Sequence, residues 1–203
     1  SFLKIGVGTL VKPEEESYNK FKLYEIQNHG SWQVIEKSNE LTFKHILKDQ
    51  KYSYEYIKRI HLPEGTSEMV LHHQFTNTGK NPIETQVYNH NFFLIDSMNI
   101  GPDTVLKFPL KIHAEGRLRG IGEYAEITEN EIRFIKDIQK GRHVYIESIT
   151  GTQEKAQEYT FKIENQKTGA GVKIHGSNPL SKLTFWSAYK TVCPEPYIAI
   201  KAA

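Results

Sequence analysis

The chain has 203 residues, enough for one globular domain with a buried core. Hydrophobic residues make up 38% of it and charged residues 25%, which excludes an intrinsically disordered chain. The net charge is +2 with acids and bases interspersed, so we expect no nucleic-acid partner. The one cysteine, Cys193, excludes an internal disulfide and the zinc sites that are built from several thiolates.

Nothing in the sequence predicts a membrane partner or a secretion signal. No run approaches the roughly 20 apolar residues that span a bilayer, and no signal peptide is visible. The chain opens on Ser1-Phe2-Leu3-Lys4 without an initiator Met, as expected of a processed or truncated product that lacks an N-terminal portion. We therefore expect a soluble protein of the cytoplasm or of a bacterial periplasm; the sequence leaves the compartment and the oligomeric state open.

Short segments with alternating apolar and polar residues, separated by turn sequences, run along most of the chain and predict β-strands. The predicted strands, in chain order, are 41–47, 51–60, 67–76, 83–95, 105–112, 132–135, 143–149, 159–165, 171–174, 183–188 and 197–200.

Three connecting segments carry predictions of their own. Turn residues at 77–82 predict a hairpin between strands 67–76 and 83–95. Residues 151–158 are predicted to make one short helical turn, and 13–19 an acidic loop. Many short strands with few helices predict an all-β, antiparallel sandwich, with residues 1–203 as a single domain.

Two segments carry the candidate chemistry. Glu195 lies between two prolines in an otherwise apolar run near the C-terminus, and strand alternation places it on one face with Cys193 and Tyr197. His90 alternates with Tyr88 and Phe92, and this mixed polar and aromatic face suits a sugar. A carboxylate and an imidazole can together move protons at an anomeric centre. The alternatives are an edge-strand carboxylate paired with a lysine and a structural histidine.

The segments Asn89-His90-Asn91-Phe92-Phe93 and Cys193-Pro194-Glu195-Pro196 resemble two motifs of the aldose 1-epimerase (galactose mutarotase-like) superfamily. The resemblance implies a twisted antiparallel β-supersandwich with its site on a concave sheet face. It also implies that His90 is the general acid and Glu195 the general base, and that neither a metal nor another cofactor takes part. Because the two protons move at opposite sides of the sugar, we expect the two side chains to lie about a sugar ring apart, without direct contact.

Other residues are candidates for contacts with the sugar. His29, which precedes Gly30, is similar to a substrate-binding His-Gly segment of the family, and a simple turn is the alternative. His72 is predicted to contact the sugar or to support the site, whereas its neighbour His73 is predicted to pack in the core or line the cleft. Trp186 could stack on a sugar ring or pack in the core.

The chain departs from the family at the substrate-binding arginine, which in the family precedes the first His segment. The first arginine here is Arg59, well after that segment. Either an N-terminal portion is missing or this chain recognises its substrate differently. Lys190, or one of Arg117 and Arg119, would then supply the charge.

Three functions are compatible with these residues. The first is an aldose 1-epimerase-like isomerase that interconverts the anomers of a free or modified sugar. The second is a non-catalytic carbohydrate-binding protein, which has no use for a facing acid and base. The third is a β-sandwich fragment of a larger polysaccharide-processing enzyme. In each case the expected partner is a small sugar or a saccharide chain.

Overall fold

A computed structural model describes residues 1–14, 18–19, 21–151 and 158–203. Over these ranges the chain forms strands and no helix, which confirms the all-β prediction. The strands are β1 (Phe2–Lys4), β2 (Gly8–Leu10), β3 (Ile26–Asn28), β4 (Ser31–Lys37), β5 (Glu40–Leu47), β6 (Tyr54–His61), β7 (Val70–Asn77), β8 (Ile83–Tyr88), β9 (Thr104–Lys107), β10 (His113–Arg119), β11 (Ala125–Ile127), β12 (Glu131–Phe134), β13 (His143–Thr150), β14 (Tyr159–Asn165), β15 (Gly171–Gly176), β16 (Lys182–Ala188) and β17 (Thr191–Ala202). Consequently, no helix in the described part of the chain could span a membrane.

The strands form four sheets, in which every named strand pair with a described register is antiparallel. Their orders are β1-β2-β3, β4-β5-β6-β7, β10-β13-β16-β17-β8 and β11-β12-β9-β14-β15. The predicted antiparallel arrangement is therefore confirmed.

The predicted hairpin between 67–76 and 83–95 is wrong. Strand β7 pairs with β6, whereas β8 lies beside β17 in a different sheet. The turn itself is present: the Asn77 side-chain amide donates to the carbonyl of Asn81, and its oxygen accepts from the Gly79 N–H. Turn residues thus predicted where the chain bends, but the pairing partner was decided by distant segments.

Other differences from the predicted elements concern strand ends and short edge strands. Strand β14 has the predicted bounds, whereas β8 ends at Tyr88 rather than at residue 95. No sequence pattern predicted β1, β2, β3, β4, β10 or β11, several of which are only three residues long. The helical turn predicted at 151–158 lies outside the described residues except for its two ends, and so do three residues of the loop 13–19.

The described chain comprises two compact units, and the prediction of a single domain stays a prediction. The first unit contains Ser1–Thr85 and Ile200–Ala203. Its small core is built on Leu47, Tyr54 and Ile83, with Phe75 packed against them.

A buried histidine of the first unit was not predicted. His45 is fully buried, with its ring stacked on Trp32 at 4.5 Å between centroids. Its Nε2 lies 2.8 Å from the carbonyl of His29, which can only accept, so Nε2 carries the proton. Its Nδ1 therefore accepts from the Tyr54 hydroxyl at 2.8 Å, and that hydroxyl accepts from the Gly6 N–H at 2.9 Å. Both ring nitrogens of His45 are thus hydrogen-bonded, which offsets the free-energy cost of burying a polar side chain.

The second unit, Gln86–Ala199, contains the larger core. Alternate residues of its central strands are fully buried in that core, among them Ile146 on β13, Phe185 on β16 and Val192 on β17. Strand alternation therefore turns the intervening residues, including Trp186, Cys193 and Glu195, onto the other face of the sheet.

Candidate functional site

The two prolines beside Glu195 shape the backbone opposite it. The carbonyl of Pro196 accepts from the N–H of Asn89, and the carbonyl of Val192 accepts from the N–H of Phe93, so the two segments run antiparallel. A residue's N–H and carbonyl point to the same side of a strand, so Pro194 and Pro196 lack donors on the side where residues 89–93 lie. A regular ladder is impossible there, which explains why β8 ends at Tyr88 and not at 95.

The Asn91 side chain occupies part of the interrupted ladder. Its amide lies 3.4 Å from the Pro194 carbonyl, where a backbone donor would otherwise stand. The antiparallel order of these contacts places His90 opposite Glu195 and Tyr88 opposite Tyr197. The predicted shared face of Tyr88, His90 and Phe92 is thus present, although His90 lies outside a regular strand.

His90 and Glu195 are in direct contact. The His90 Nε2 lies 3.3 Å from the Glu195 Oε1, so the expectation that a sugar's width separates them is wrong. The carboxylate is nearly buried, with 10% of its side chain exposed, whereas 40% of the His90 side chain is exposed. Solvent therefore reaches the pair mainly through the His90 side chain. The residues predicted as acid and base lie side by side.

Cys193 and Tyr197 complete the surroundings of this pair. The Cys193 side chain is fully buried, and its Sγ lies 2.9 Å from the His90 Nδ1. The other ring nitrogen, Nε2, is the one that contacts Glu195. Burial, and then the negative charge of Glu195, raise the pKa of this thiol to about 12. The same two causes, in the same order, raise the pKa of Tyr197 to about 12, and its hydroxyl donates to the Glu195 Oε2 at 3.5 Å. Both groups therefore stay protonated beside the carboxylate.

Aromatic rings form a wall around the exposed side of His90. The Phe92 ring lies 4.3 Å from the imidazole, centroid to centroid, and is 62% exposed. Its edge meets the ring of Trp186 at 6.0 Å. On the other side, Tyr88 and Tyr197 stack at 4.6 Å. Exposed aromatic faces of this kind bind the apolar faces of sugars.

Trp186 lies on the same sheet face as Cys193, with which it is in register, and as Tyr145 on the next strand. The guanidinium of Arg117 lies 5.4 Å from the Tyr145 ring centroid, and Arg119 is in register with Tyr145. The backbone bulges before Arg117, where Gly116 has a φ of 74° and the Glu147 carboxylate accepts the Arg117 N–H. Both arginines therefore lie on β10, an edge strand of the sheet that contains Glu195.

Lys190 lies in the turn between β16 and β17, exposed, with its ammonium 5.8 Å from the Tyr189 ring centroid. The expected contact of Lys190 with the substrate stays a prediction, and so does that of Trp186.

The remaining predicted histidines belong to the first unit. The His29 side chain is exposed, and its backbone precedes Gly30, which has a φ of 62° and lies too close to His45 for a side chain. His72 is exposed on β7, in register with Arg59. Their substrate roles stay predictions. His73 does not pack in the core: its ring is exposed and bonds the Tyr56 hydroxyl at 2.8 Å, whereas His45 is buried. The alternative that His73 lines a cleft stays a prediction.

Sequence reasoning missed parts of this site. Strand alternation placed Cys193 on the face of Glu195, but its contact with His90 depends on the cross-strand register, which the sequence does not show. Phe92 and Tyr197 had a signal, because both alternate with the catalytic candidates in the sequence. That signal places a residue on the correct face but does not say which ring it touches.

Comparisons with known proteins bear on the fold. No protein-family model and no curated protein matches the sequence. A crystal structure from Escherichia coli K12, of a protein named "Putative aldose 1-epimerase", matches with a TM-score of 0.55 and 13% sequence identity. The match covers 98% of this chain and 77% of that one. The chain therefore has the β-fold of that protein, a fold that the resemblance of the two motifs also implies.

Proposed function

We propose that this chain is an aldose 1-epimerase-like isomerase that interconverts the anomers of a free or modified aldose. The observation that carries the proposal is the contact of the Glu195 carboxylate with the His90 imidazole, 3.3 Å apart, beside an exposed aromatic wall. We include in the proposal the finer fold assignment, an antiparallel supersandwich of the galactose mutarotase-like type. The likeness to the E. coli protein supports it.

Direct contact between the acid and the base is compatible with this reaction. The hydroxyl oxygen O1 and the ring oxygen O5 of a pyranose are bonded to the same carbon, C1. They therefore lie closer together than the 3.3 Å between Nε2 and Oε1. One sugar edge placed over the pair can reach both groups, and no ring needs to fit between them.

The proton transfers assign a role to each group. Glu195 takes the proton of O1 while His90 gives a proton to O5; the C1–O5 bond breaks and C1 becomes an aldehyde carbon. Rotation about C1–C2 and the reverse transfers close the other anomer. The acid has to start as the imidazolium, because a neutral imidazole that gave up its Nε2 proton would become an anion.

Cys193 acts as a positioning residue in this scheme. Its sulfur lies 2.9 Å from Nδ1, where it accepts a hydrogen bond from the Nδ1–H of the His90 imidazolium. Nδ1 then keeps its proton before and after the transfer, and Nε2, which faces Glu195, is the nitrogen that gives and takes. The raised thiol pKa supports this, because a protonated sulfur does not compete for the mobile proton.

Sugar contacts complete the proposal. Phe92 and Trp186 supply stacking surfaces, and Lys190 is carried forward as a candidate substrate contact. The substrate roles of His29 and His72, in the first unit, stay predictions from the sequence. We propose no metal or other cofactor for the reaction, because the two proton transfers need only an acid and a base.

The decisive test is the rate of anomer exchange, followed by polarimetry or by NMR exchange between anomeric signals. A panel of aldoses, uronates and sugar phosphates is needed, since the sugar is unidentified. We expect Glu195→Gln and His90→Asn each to reduce turnover by roughly 100-fold or more, the usual contribution of a general base or acid. Sugar affinity should change less, because each group acts mainly in the transition state.

Two outcomes contradict the proposal in different ways. If sugars bind but the wild type never exceeds the spontaneous exchange rate, the chain is a non-catalytic carbohydrate-binding protein. If both variants match an active wild type, the reaction is correct and the assignment of the two residues is wrong.

A further inference from the structure

The acid and base share their location with a third potential metal ligand. One ring nitrogen of His90, the Cys193 Sγ and a carboxylate oxygen of Glu195 all lie within 4.8 Å of one another. Imidazole nitrogen, thiolate sulfur and carboxylate oxygen are the three ligand types that Zn²⁺ takes in proteins. Atoms bound to one tetrahedral ion must be this close together.

We propose that Zn²⁺, or a similar borderline-soft divalent ion, binds to His90, Cys193 and Glu195 and thereby switches off the acid–base pair. Binding itself does not depend on the function proposed above, whereas the inhibition rests on it. The metal is an inhibitor in this proposal, not a cofactor of the reaction.

Charge and exposure favour such a site. When the metal binds, the thiol releases its proton to solvent and sulfur binds as thiolate; with the Glu195 carboxylate, two negative charges then balance the ion. Cys193 is fully buried and Glu195 nearly so, which shields the ion on one side. The His90 side chain, 40% exposed, leaves the other side open for entry and for a water as fourth ligand.

The ligand set also predicts which metals bind. A sulfur ligand and an imidazole favour zinc, cobalt and cadmium, whereas magnesium and calcium require a shell of oxygen atoms. We therefore expect Mg²⁺ and Ca²⁺ neither to bind here nor to compete with Zn²⁺.

Metal binding and proton transfer exclude each other for a simple reason. A coordinated ring nitrogen has no lone pair left to carry a proton, so the imidazolium cannot form. A coordinated carboxylate oxygen is likewise no longer free to accept the O1 proton. One bound ion should therefore abolish turnover in that molecule.

Cobalt is the direct probe, because a Co²⁺–thiolate bond gives a charge-transfer absorption band. Cys193 is the chain's one cysteine, so a band can come from that residue alone. We expect Co²⁺ titration of the full chain, without sugar, to produce the band with a 1:1 endpoint. Zn²⁺ should remove the band by displacement, and Mg²⁺ should leave it unchanged.

Variants test the ligand set. Cys193→Ser should lose the band. His90→Asn, at a side chain that is 40% exposed, should weaken Zn²⁺ binding by more than about 10-fold, since even an outer-sphere partner contributes that much. The matched control is His175→Asn, on the exposed surface of β15, which should bind Zn²⁺ like the wild type. Circular dichroism verifies that each variant is folded.

Several results would overturn the proposal: no band in the wild type, unchanged Zn²⁺ affinity in His90→Asn, or loss of binding in His175→Asn, which would indicate a surface histidine site. These measurements contain no sugar, so they stand even if the chain proves to lack isomerase activity. If the chain is active and Zn²⁺ binds at this site without slowing anomer exchange, the inhibition is refuted and the binding stands.

Discussion

The His90 Nε2 lies 3.3 Å from the Glu195 Oε1, at a point where the backbone opposite Glu195 is not a regular strand. Pro194 and Pro196 offer no N–H to residues 89–93, and the side-chain amide of Asn91 donates to the Pro194 carbonyl in place of a backbone N–H. The two prolines that first marked Glu195 in the sequence thus interrupt the ladder opposite it, while the register of residues 89–93 against β17 gives the carboxylate its partner.

The contacts of His90 with Glu195 and Cys193 predict a tautomer. We expect ¹⁵N chemical shifts to place the proton of neutral His90 on Nε2 in the wild type, facing the carboxylate, while Nδ1 accepts from the thiol. Cys193→Ala should shift the Nδ1 signal, because that nitrogen loses its donor, and should lower turnover about threefold to tenfold, the contribution of one hydrogen bond, with little change in KM. Cys193→Ser keeps a hydroxyl donor and should retain most of the wild-type Nδ1 shift and of the turnover. An alanine variant with wild-type shifts and turnover would exclude the positioning role.

Phe92 is predicted to hold the sugar. Removal of an exposed ring beside His90 in Phe92→Ala should raise KM severalfold with little effect on kcat, because stacking stabilises bound sugar and transition state alike. Leu94→Ala is the matched control, since Leu94 is also exposed and lies two residues further on. Trp186 fluorescence in a Trp32→Phe background should report the same binding. Equal KM values for the two alanine variants would argue against stacking on Phe92.

Arg117 is predicted to contact the charged group if the sugar is a uronate or a phosphate. It lies on β10, an edge strand of the sheet that contains Glu195, beside Tyr145. Arg117→Met should raise KM for an anionic aldose by about 10-fold, as expected for the loss of a charge-assisted hydrogen bond, and should leave neutral aldoses unaffected. Lys190→Met is measured in parallel. A KM effect confined to the lysine variant would assign the charge to Lys190 instead.

The buried Tyr54 hydroxyl is predicted to stabilise the first unit. Tyr54→Phe leaves the Gly6 N–H and the His45 Nδ1 without a partner, so the free energy of unfolding should fall by about 1–3 kcal/mol. Urea denaturation followed by circular dichroism measures the change. Tyr52→Phe is the control, because the half-buried Tyr52 hydroxyl has no hydrogen bond among the described residues. An equal effect of both substitutions would contradict a specific role for the network.

Acid sensitivity is predicted for the pair Lys107 and Glu164. The hydrogen bond from the Lys107 ammonium, 2.6 Å away, lowers the pKa of Glu164. The positive charge of Lys107 lowers that pKa further. Because the folded-state pKa lies below the unfolded one, the stabilisation is present at neutral pH and is lost as pH falls through the folded pKa. Both side chains are about one-third exposed, so solvent limits the effect to about 1 kcal/mol or less.

The test compares Glu164→Gln with the wild type. The stability of the variant should fall less steeply below pH 4.5, since the carboxylate that would be protonated is absent. A parallel slope for the two proteins would show that the pair does not contribute.

The sequence by itself determined the local structure. Period-two alternation predicted strands such as β14, and it placed His90 with Tyr88 and Phe92, and Glu195 with Cys193 and Tyr197, on common faces. These are short-range properties, because successive side chains of an extended chain point to opposite sides.

The tertiary structure alone decided which faces meet and at what distance. The register between residues 89–93 and β17 brought His90 onto Glu195 and Cys193, and the pairing of β7 with β6 replaced the expected hairpin. It also decided that His45, and not His73, is the buried histidine. Each of these depends on contacts between residues far apart in the chain, which no local pattern encodes because the same alternation fits many registers.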